Sequence, residues 1–463
     1  MSDTSHSPQT QGRPDSAFAR FLRVTEIDPR LVGLVGALLL IWLGFEAYST
    51  FVLDRPSLLL GASQMDANGF LTPRNLWNLS VQTAYIGVMA TGMVLIIITR
   101  NIDLSVGSIM GVVGMYMGLM QVEWLTPAVG LGHPSIWIVT VIFGIAMGAL
   151  IGAFQGVLIA FLNIPSFIVT LGGLLVWRGA AFLVAGGKTI APLDDTFSLI
   201  GGGSFGALGR TGSWIFAVIA CAFVIWAFVQ GRNSRKVHGF ALRPVWAETF
   251  VIGLVCAIIV GATAVVNSYI WPKGNIDKYY KALGQELPEC AKDNDTIYSG
   301  VCASFGHGFA YPVLIMIAVA IFMTILMTRT RFGRYVFAIG GNPEAAALSG
   351  INTRAMTVKI FTLMGALAGI AAVIGAARQN SATNAMGNLD ELYVIAAAVV
   401  GGTSLAGGVG TIYGAIIGAL ILTSLQTGMV LIGFGDGSYQ RIVIGIALVI
   451  AVWLDIVYRK RIK

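Results

Sequence analysis

Long apolar runs alternate with short polar breaks along most of the chain. The runs cover 31–53, 79–100, 104–121, 135–162, 165–186, 213–230, 247–271, 307–328, 356–377, 392–408, 411–433 and 438–457. Crossing the hydrocarbon core takes about 20 mostly apolar residues in a helix. The pattern therefore predicts an all-α integral membrane protein with about 10–12 transmembrane helices. The segment 392–408 is the weakest run because it ends in GGTSLAGG. A re-entrant or broken helix there needs protein or a cavity beside it, since lipid offers no partner to exposed backbone.

Residues 1–30 read as a polar tail, the first part rich in Ser, Thr and Gln, without the charged-then-apolar order of a cleaved signal. Within it, 17–24 (AFARFLRV) reads either as a short basic amphipathic helix on the membrane surface or as disordered chain. Residues 31–457 form the transmembrane domain, and 458–463 a basic tail. Lys and Arg gather in four stretches: Arg13, Arg20, Arg23 and Arg30; Arg232, Arg235, Lys236 and Arg243; Arg329, Arg331, Arg334 and Arg354; and the C-terminal RKRIK. Twelve spans put all four on one side, which must be the cytoplasm, so both termini are expected there.

The near-neutral loop 272–306 then faces outward and holds Cys290 and Cys302. A disulfide closing the loop on the oxidising side is the favoured reading. The alternatives are two free thiols, or a metal pair with His307, for which the other ligands of a four-ligand zinc site are missing. Cys221 and Cys256 lie inside apolar runs and read as small hydrophobes.

Composition narrows the class further. Of 463 residues, 56% are hydrophobic and 11% charged, and mean hydropathy is +0.79. A soluble domain carries about 25% charged residues, so a water-soluble enzyme, a nucleic-acid reader and a disordered scaffold are excluded. The net charge of +7 follows from the cytoplasmic bias of Lys and Arg and calls for no nucleic-acid partner. Glycine, at 58 residues, is patterned: Gly144, Gly148, Gly152 and Gly156 fall four apart, as do Gly410, Gly414 and Gly418. Such residues share a helix face and let a neighbouring backbone approach. The similar strings GALIGA (148–153) and GAIIGA (414–419) point to two related halves, although small-residue spacings recur in any helical membrane protein.

No catalytic constellation is present. His6, His133, His238 and His307 are scattered, and no metal site or cofactor is expected on this chain. Gly187-Lys188-Thr189 resembles the end of a phosphate loop, but Phe182 stands where that motif requires glycine. The most informative segment is the loop 329–355, RTRFGRYVFAIGGNPEAAALSGINTRA. Asn342 can cap a helix, Pro343 suits its first position, Glu344 favours its positive end, and Gly350 stops it. A short capped helix displayed between two spans is suited to docking on another protein; the plain alternative is a helical linker.

The stretch RFGRYVFAIGGNPEAAALSGI resembles the cytoplasmic coupling loop of bacterial ABC importer permeases of the ribose/xylose type. NIDLSVGS (101–108), PSFIVTLG (165–172) with Trp177-Arg178-Gly179, and VVGGTSLAGGVGTIYGAIIGA (399–419) resemble segments of that family in the same order, so the likeness runs from about residue 75 to the end. The region 213–306, with an extra pair of spans and a cysteine-bearing loop, is more like the xylose-type permease, while the N-terminal tail is longer than the family's.

The resemblance implies an ABC importer permease fold in the bacterial inner membrane, working as a homodimer in the lipid bilayer and carrying out no covalent chemistry. A cytoplasmic ATPase subunit would use ATP and Mg and grip Asn342, Pro343, Glu344, Ala345, Ala346, Ser349, Gly350 and Ile351; a periplasmic sugar-binding protein would deliver a monosaccharide. Branched-chain amino acid permeases of the same superfamily are the near alternative. An ion-driven carrier is the distant one, expecting paired mid-span acids that the spans as drawn almost lack.

A polar, uncharged cargo needs hydrogen-bonding groups along its route. Candidates are Asn78, Gln82 and Tyr85, with Asn75 and Thr83 beside them, and Gln379, Asn380 and Asn384. Arg178, inside a span, is expected to brace a neighbouring helix through backbone carbonyls or to line the route. Arg100 and Asp103 are expected to form a local ion pair with a capping role, and Glu46 and Asp455 to snorkel from span ends or simply to be exposed there.

Overall fold

The computed structural model describes residues 17–61, 68–130, 132–292 and 300–462. The expected polar tail 1–16 and the final Lys463 lie outside the described residues, as does the Asp455 side chain. Among the described residues the secondary structure is helical, with three isolated bridges. In order, the elements used below are α1 (Ala17–Thr25), α2 (Pro29–Phe51), α3 (Pro73–Ile98), α4 (Val106–Leu119), α5 (Ser135–Phe161), α6 (Ser166–Val184), α7 (Gly209–Val237) and α8 (Val245–Ser268). They continue with α9 (Lys273–Ala282), α10 (Tyr311–Arg329), α11 (Arg331–Gly341), α12 (Pro343–Leu348), α13 (Thr353–Gln379), α14 (Asp390–Val400), α15 (Ile412–Leu431) and α16 (Gly437–Ile462). Ten helices among the described residues are long and apolar enough to cross a membrane.

The chain divides into two compact units, 1–33 with 215–262, and the remainder. In the smaller, α1 lays Phe21 against Trp246 and Phe250. Glu26 beyond its end pairs with Arg235 and Arg243, which together hold its carboxyl down to about 2. The parts of α7 and α8 in this unit expose apolar side chains such as Val218, Ile219 and Ile258, as a lipid-facing hairpin should.

The larger unit is built around α3 and α13, whose apolar residues are mostly buried by neighbouring helices. Its tightest seam is α5 against α13. A Cβ at Gly148 would overlap the Gly365 carbonyl, one at Gly152 the Phe361 carbonyl, and one at Gly369 the Gly144 carbonyl. The contact is backbone to backbone, so no side chain can be added on either helix. The second glycine series works the same way: a Cβ at Gly414 would strike the Gly401 carbonyl, and one at Gly418 the Ala397 carbonyl of α14.

Two expectations are corrected. The run 392–408 is not a continuous span: α14 has 11 residues, about 16 Å of helix against a core of about 30 Å. Gly402, Gly407 and Gly408 all take positive φ, which ends the helix although the composition stays apolar. The segment nevertheless crosses the bundle. Ala382 pairs with Ile190, which follows α6, whereas the Gly408 N–H donates to the Ile98 carbonyl beside the start of α6 (3.0 Å). Glu46 does not snorkel: it is buried and accepts from Ser57 Oγ and from the Leu71 N–H (2.8 Å). Those partners lie 11 and 25 residues on, beyond any local reading.

Cys290 and Cys302 are joined. The disulfide closes a small subdomain in which Ile276, Ala291 and Cys302 are buried among Trp271, Tyr280 and Phe305. His307 does not join the cysteines: its ring stacks on Tyr269 and meets Ser204 Oγ (3.1 Å), and burial pushes its pKa down to about 4.

The seam yields a paired prediction. Gly152→Leu forces α5 and α13 apart and is expected to cost about 3 kcal/mol or more, read as a lower melting temperature of the purified protein. Gly253→Leu, where a Cβ meets open space, is expected to leave the melting temperature within experimental scatter.

Candidate coupling and translocation site

The segment 329–355 folds as two consecutive helices. Thr330 Oγ1 accepts from the Gly333 N–H (3.4 Å) and starts α11, an element the sequence pattern did not reveal. A single residue, Asn342, separates it from α12. Asn342 Oδ1 accepts from the N–H groups of Glu344 and Ala345 (both 3.1 Å), Pro343 fills the first turn, and Gly350 at φ 84° ends the turn. Ser349 Oγ donates to the Ala345 carbonyl (2.8 Å), and the Ile351 N–H to that of Ala346 (3.1 Å). Ala346 is the inward anchor. Glu344, Ala345 and Ala347 are exposed, and Leu348 is 90% exposed. A large apolar side chain left almost wholly in the open on a rigidly capped helix offers a contact surface.

The second feature is the break before α14. Asn380, at φ 46°, ends α13, and its Oδ1 accepts from the Leu193 N–H (3.0 Å) and Ser198 Oγ (2.8 Å). The chain then runs without helix to Leu389, leaving carbonyls unpaired by any helical ladder. Arg178 on α6 meets them: Nη1 donates to Asn384 O (3.1 Å) and Met386 O (2.8 Å), Nη2 to Gly387 O (2.9 Å). Gly107 and Gly111 of α4 close the other side, where a Cβ would overlap Gly387 O or press on Met386 O. Asp390 and Glu391 then open α14, at the end where its dipole favours negative charge. Glu391 is buried and its Oε2 accepts no hydrogen bond among the described residues.

The sequence candidates distribute unevenly over this frame. Tyr85 is half-buried on α3, against which both α13 and α14 pack. Gln82 is half-buried and accepts from Thr427 Oγ1 of α15 (3.2 Å); Thr83 is bonded to Thr423 (2.6 Å). Asn78 is half-buried on the same face of α3, one turn earlier. Gln379 is exposed at the end of α13. Asn380 is committed to the turn, and Asn75 donates locally to the Phe70 carbonyl (2.7 Å). Asp390 and Glu391 were missed because a span drawn from 392 leaves both in a loop; two adjacent acids before an apolar helix were the available signal.

Arg100 and Asp103 do not pair. Arg100 reaches instead to Gly340 and Gly341. Asp103 is buried in the loop after α3 and accepts from the Ser105 N–H (2.9 Å) and Oγ (2.6 Å). Burial outweighs those bonds and raises its pKa to about 6.

A bundle of apolar helices that carries, among the described residues, a broken crossing and an exposed capped arm defines a polytopic membrane protein. The family model described as "Branched-chain amino acid transport system / permease component" matches residues 75–452, and the chain belongs to that family. Its relatives include the xylose transport system permease protein XylH of Haemophilus influenzae, 35% identical over 392 residues, 85% of this chain and 91% of that one. The XylH of Escherichia coli K12 is 37% identical over 85% of this chain and 87% of its own. The ribose import permease protein RbsC of the same organism is 30% identical over 83% and 87%. No solved structure matches the chain.

Asp103 generates a pH prediction. Its folded pKa of about 6 lies above the ordinary 3.8, so its contribution to stability is fully present below about pH 4 and lost as pH rises through 6. Asp103→Asn removes a buried charge that costs about 3 kcal/mol at neutral pH. The variant should melt higher than the parent above pH 7, an advantage that shrinks toward zero as pH falls to about 4.

Proposed function

We propose that this chain is the membrane-spanning subunit of an ATP-driven importer for a monosaccharide, with a pentose such as xylose as cargo. The observation that carries it is the exposed, capped helix α12 at the end of a rigid arm, displaying Glu344 and Leu348 for a partner to grip. The cargo rests on relatives at 35% and 37% identity that are named for xylose. The family description names branched-chain amino acids instead, and that is the second reading.

The arm and the basic stretches face the cytoplasm, where a separate ATPase subunit hydrolyses ATP with Mg, and both termini lie on that side. A periplasmic sugar-binding protein delivers cargo to the outer face of a homodimer. Closure of the ATPase pair drives α12, and the helices shift between outward and inward states. This chain makes and breaks no covalent bond. Half-buried Asn78, Gln82 and Tyr85 offer hydrogen bonds of the kind a sugar needs without a strong field, and Arg178 acts as the brace of the broken crossing rather than as a ligand.

In proteoliposomes holding the permease, its ATPase and binding protein, Glu344→Ala and Gly350→Val are expected to lower xylose uptake by about tenfold while the protein stays folded in the membrane. Normal uptake by both variants would sink the assignment. Leucine uptake in place of xylose would select the second reading, and uptake by the permease without ATPase would select an ion-driven carrier.

A further inference from the structure

Three chain segments distant in sequence meet beneath the broken crossing, and the end of α3, with Arg100, joins them. Arg100, at φ 61°, leaves the end of α3 and turns its guanidinium toward the arm. Its Nε donates to Gly340 O (3.0 Å) and its Nη2 to Gly341 O (2.7 Å). These are the last two residues of α11, whose final carbonyls lack helical partners and carry the negative end of the dipole. The third segment is the loop after α14. The Gly408 N–H donates to Ile98 O (3.0 Å), and Gly407 rests on the Arg100 side chain. A Cβ at Gly340 would overlap Ile98 O and press on Gly408 N, so the three backbones touch directly. The loop is tied to itself by Ser404 N–H to Val409 O and Gly407 N–H to Ser404 O (both 2.9 Å).

We propose that Arg100 is a positioning residue that locks the docking arm to the loop beneath α14, so that displacement of α12 reaches the broken crossing as one movement. The inference rests on the function proposed above. One residue separates α12 from α11, so a push on the first moves the second. Arg100, on whose side chain Gly407 packs, and Ile98, which accepts from the Gly408 N–H, then carry it to 401–410, which follows α14. The opposite end of α14 follows the turn held by Arg178. A planar fork that spans two carbonyls resists rotation as well as separation, which a Lys ammonium cannot do.

The test uses the whole transporter in proteoliposomes. Arg100→Ala is expected to lower the sugar imported per ATP hydrolysed by about tenfold, with Arg100→Lys recovering part of the loss. A ratio within about twofold of the parent for Arg100→Ala would overturn the proposal. A second readout needs no altered Arg100. With Cys221 and Cys256 replaced by Ser, spin labels at Ala347 and Leu405, both exposed, should keep one separation in nucleotide-free and ATP-trapped complexes. A separation that changes on trapping would overturn the lock. Absence of any ATP-dependent uptake by the parent transporter would instead defeat the functional reading, while the labels still report on the joint.

Discussion

Backbone that leaves a helix inside a membrane-spanning bundle must have its polar groups met by the protein, because hydrocarbon meets none. Several helices of the larger unit pack around one such place, the stretch between Asn380 and Leu389. Arg178 answers it with three hydrogen bonds to the carbonyls of Asn384, Met386 and Gly387. Each unsatisfied carbonyl would cost several kcal/mol in that setting, and a guanidinium presents its donors in a fixed fork that suits a cluster of them. The same contact serves the arginine, whose charge inside a span is otherwise expensive.

The glycines follow from the same requirement. A short helix with irregular flanks buries little side chain, so its neighbours must come close to exclude lipid. Gly107 and Gly111 let α4 approach the turn, and Gly414 and Gly418 let α15 lie on the end of α14. On the other side of the unit, Gly148 and Gly152 fix α5 on α13, which leads into the break. The two alike glycine strings therefore both clamp the elements flanking the discontinuity, and the high glycine content is a packing demand with particular addresses.

What could be read from the sequence, and what could not, separates along the range of the forces. The spans and α12 were legible because hydropathy, Asn capping and the αL preference of Gly350 act within a few residues. The early end of α14 was only half visible: GGTSLAGG marked weakness, but an apolar composition hides where a helix stops. Glu46 and Arg100 were misread because their partners lie elsewhere in the chain, 240 residues away for Arg100 and Gly340. Polarity alone singles out Asn380, whereas its side chain is consumed by the turn that ends α13. Polarity at a span end says that a hydrogen bond will be made, and leaves open whether cargo or backbone receives it.

The buried acids bear on the energy source. Read from the spans alone, mid-membrane carboxylates were nearly lacking, which argued against a proton- or sodium-driven carrier. Among the described residues the fold buries Glu46, Asp103, Asp194 and Glu391. Three of these are committed to turns: Glu46 through Ser57 and the Leu71 N–H, Asp103 through Ser105, and Asp194 through the Phe197 N–H. Glu391 sits buried in the first turn of α14, and its Oε2 accepts no hydrogen bond among the described residues. Carboxylates spent on fixing a discontinuity are not a relay, and a relay would not need the exposed capped arm. An exposed, capped helix suits a partner outside the bundle, so the balance of the structure favours force applied from outside over an ion moving through it.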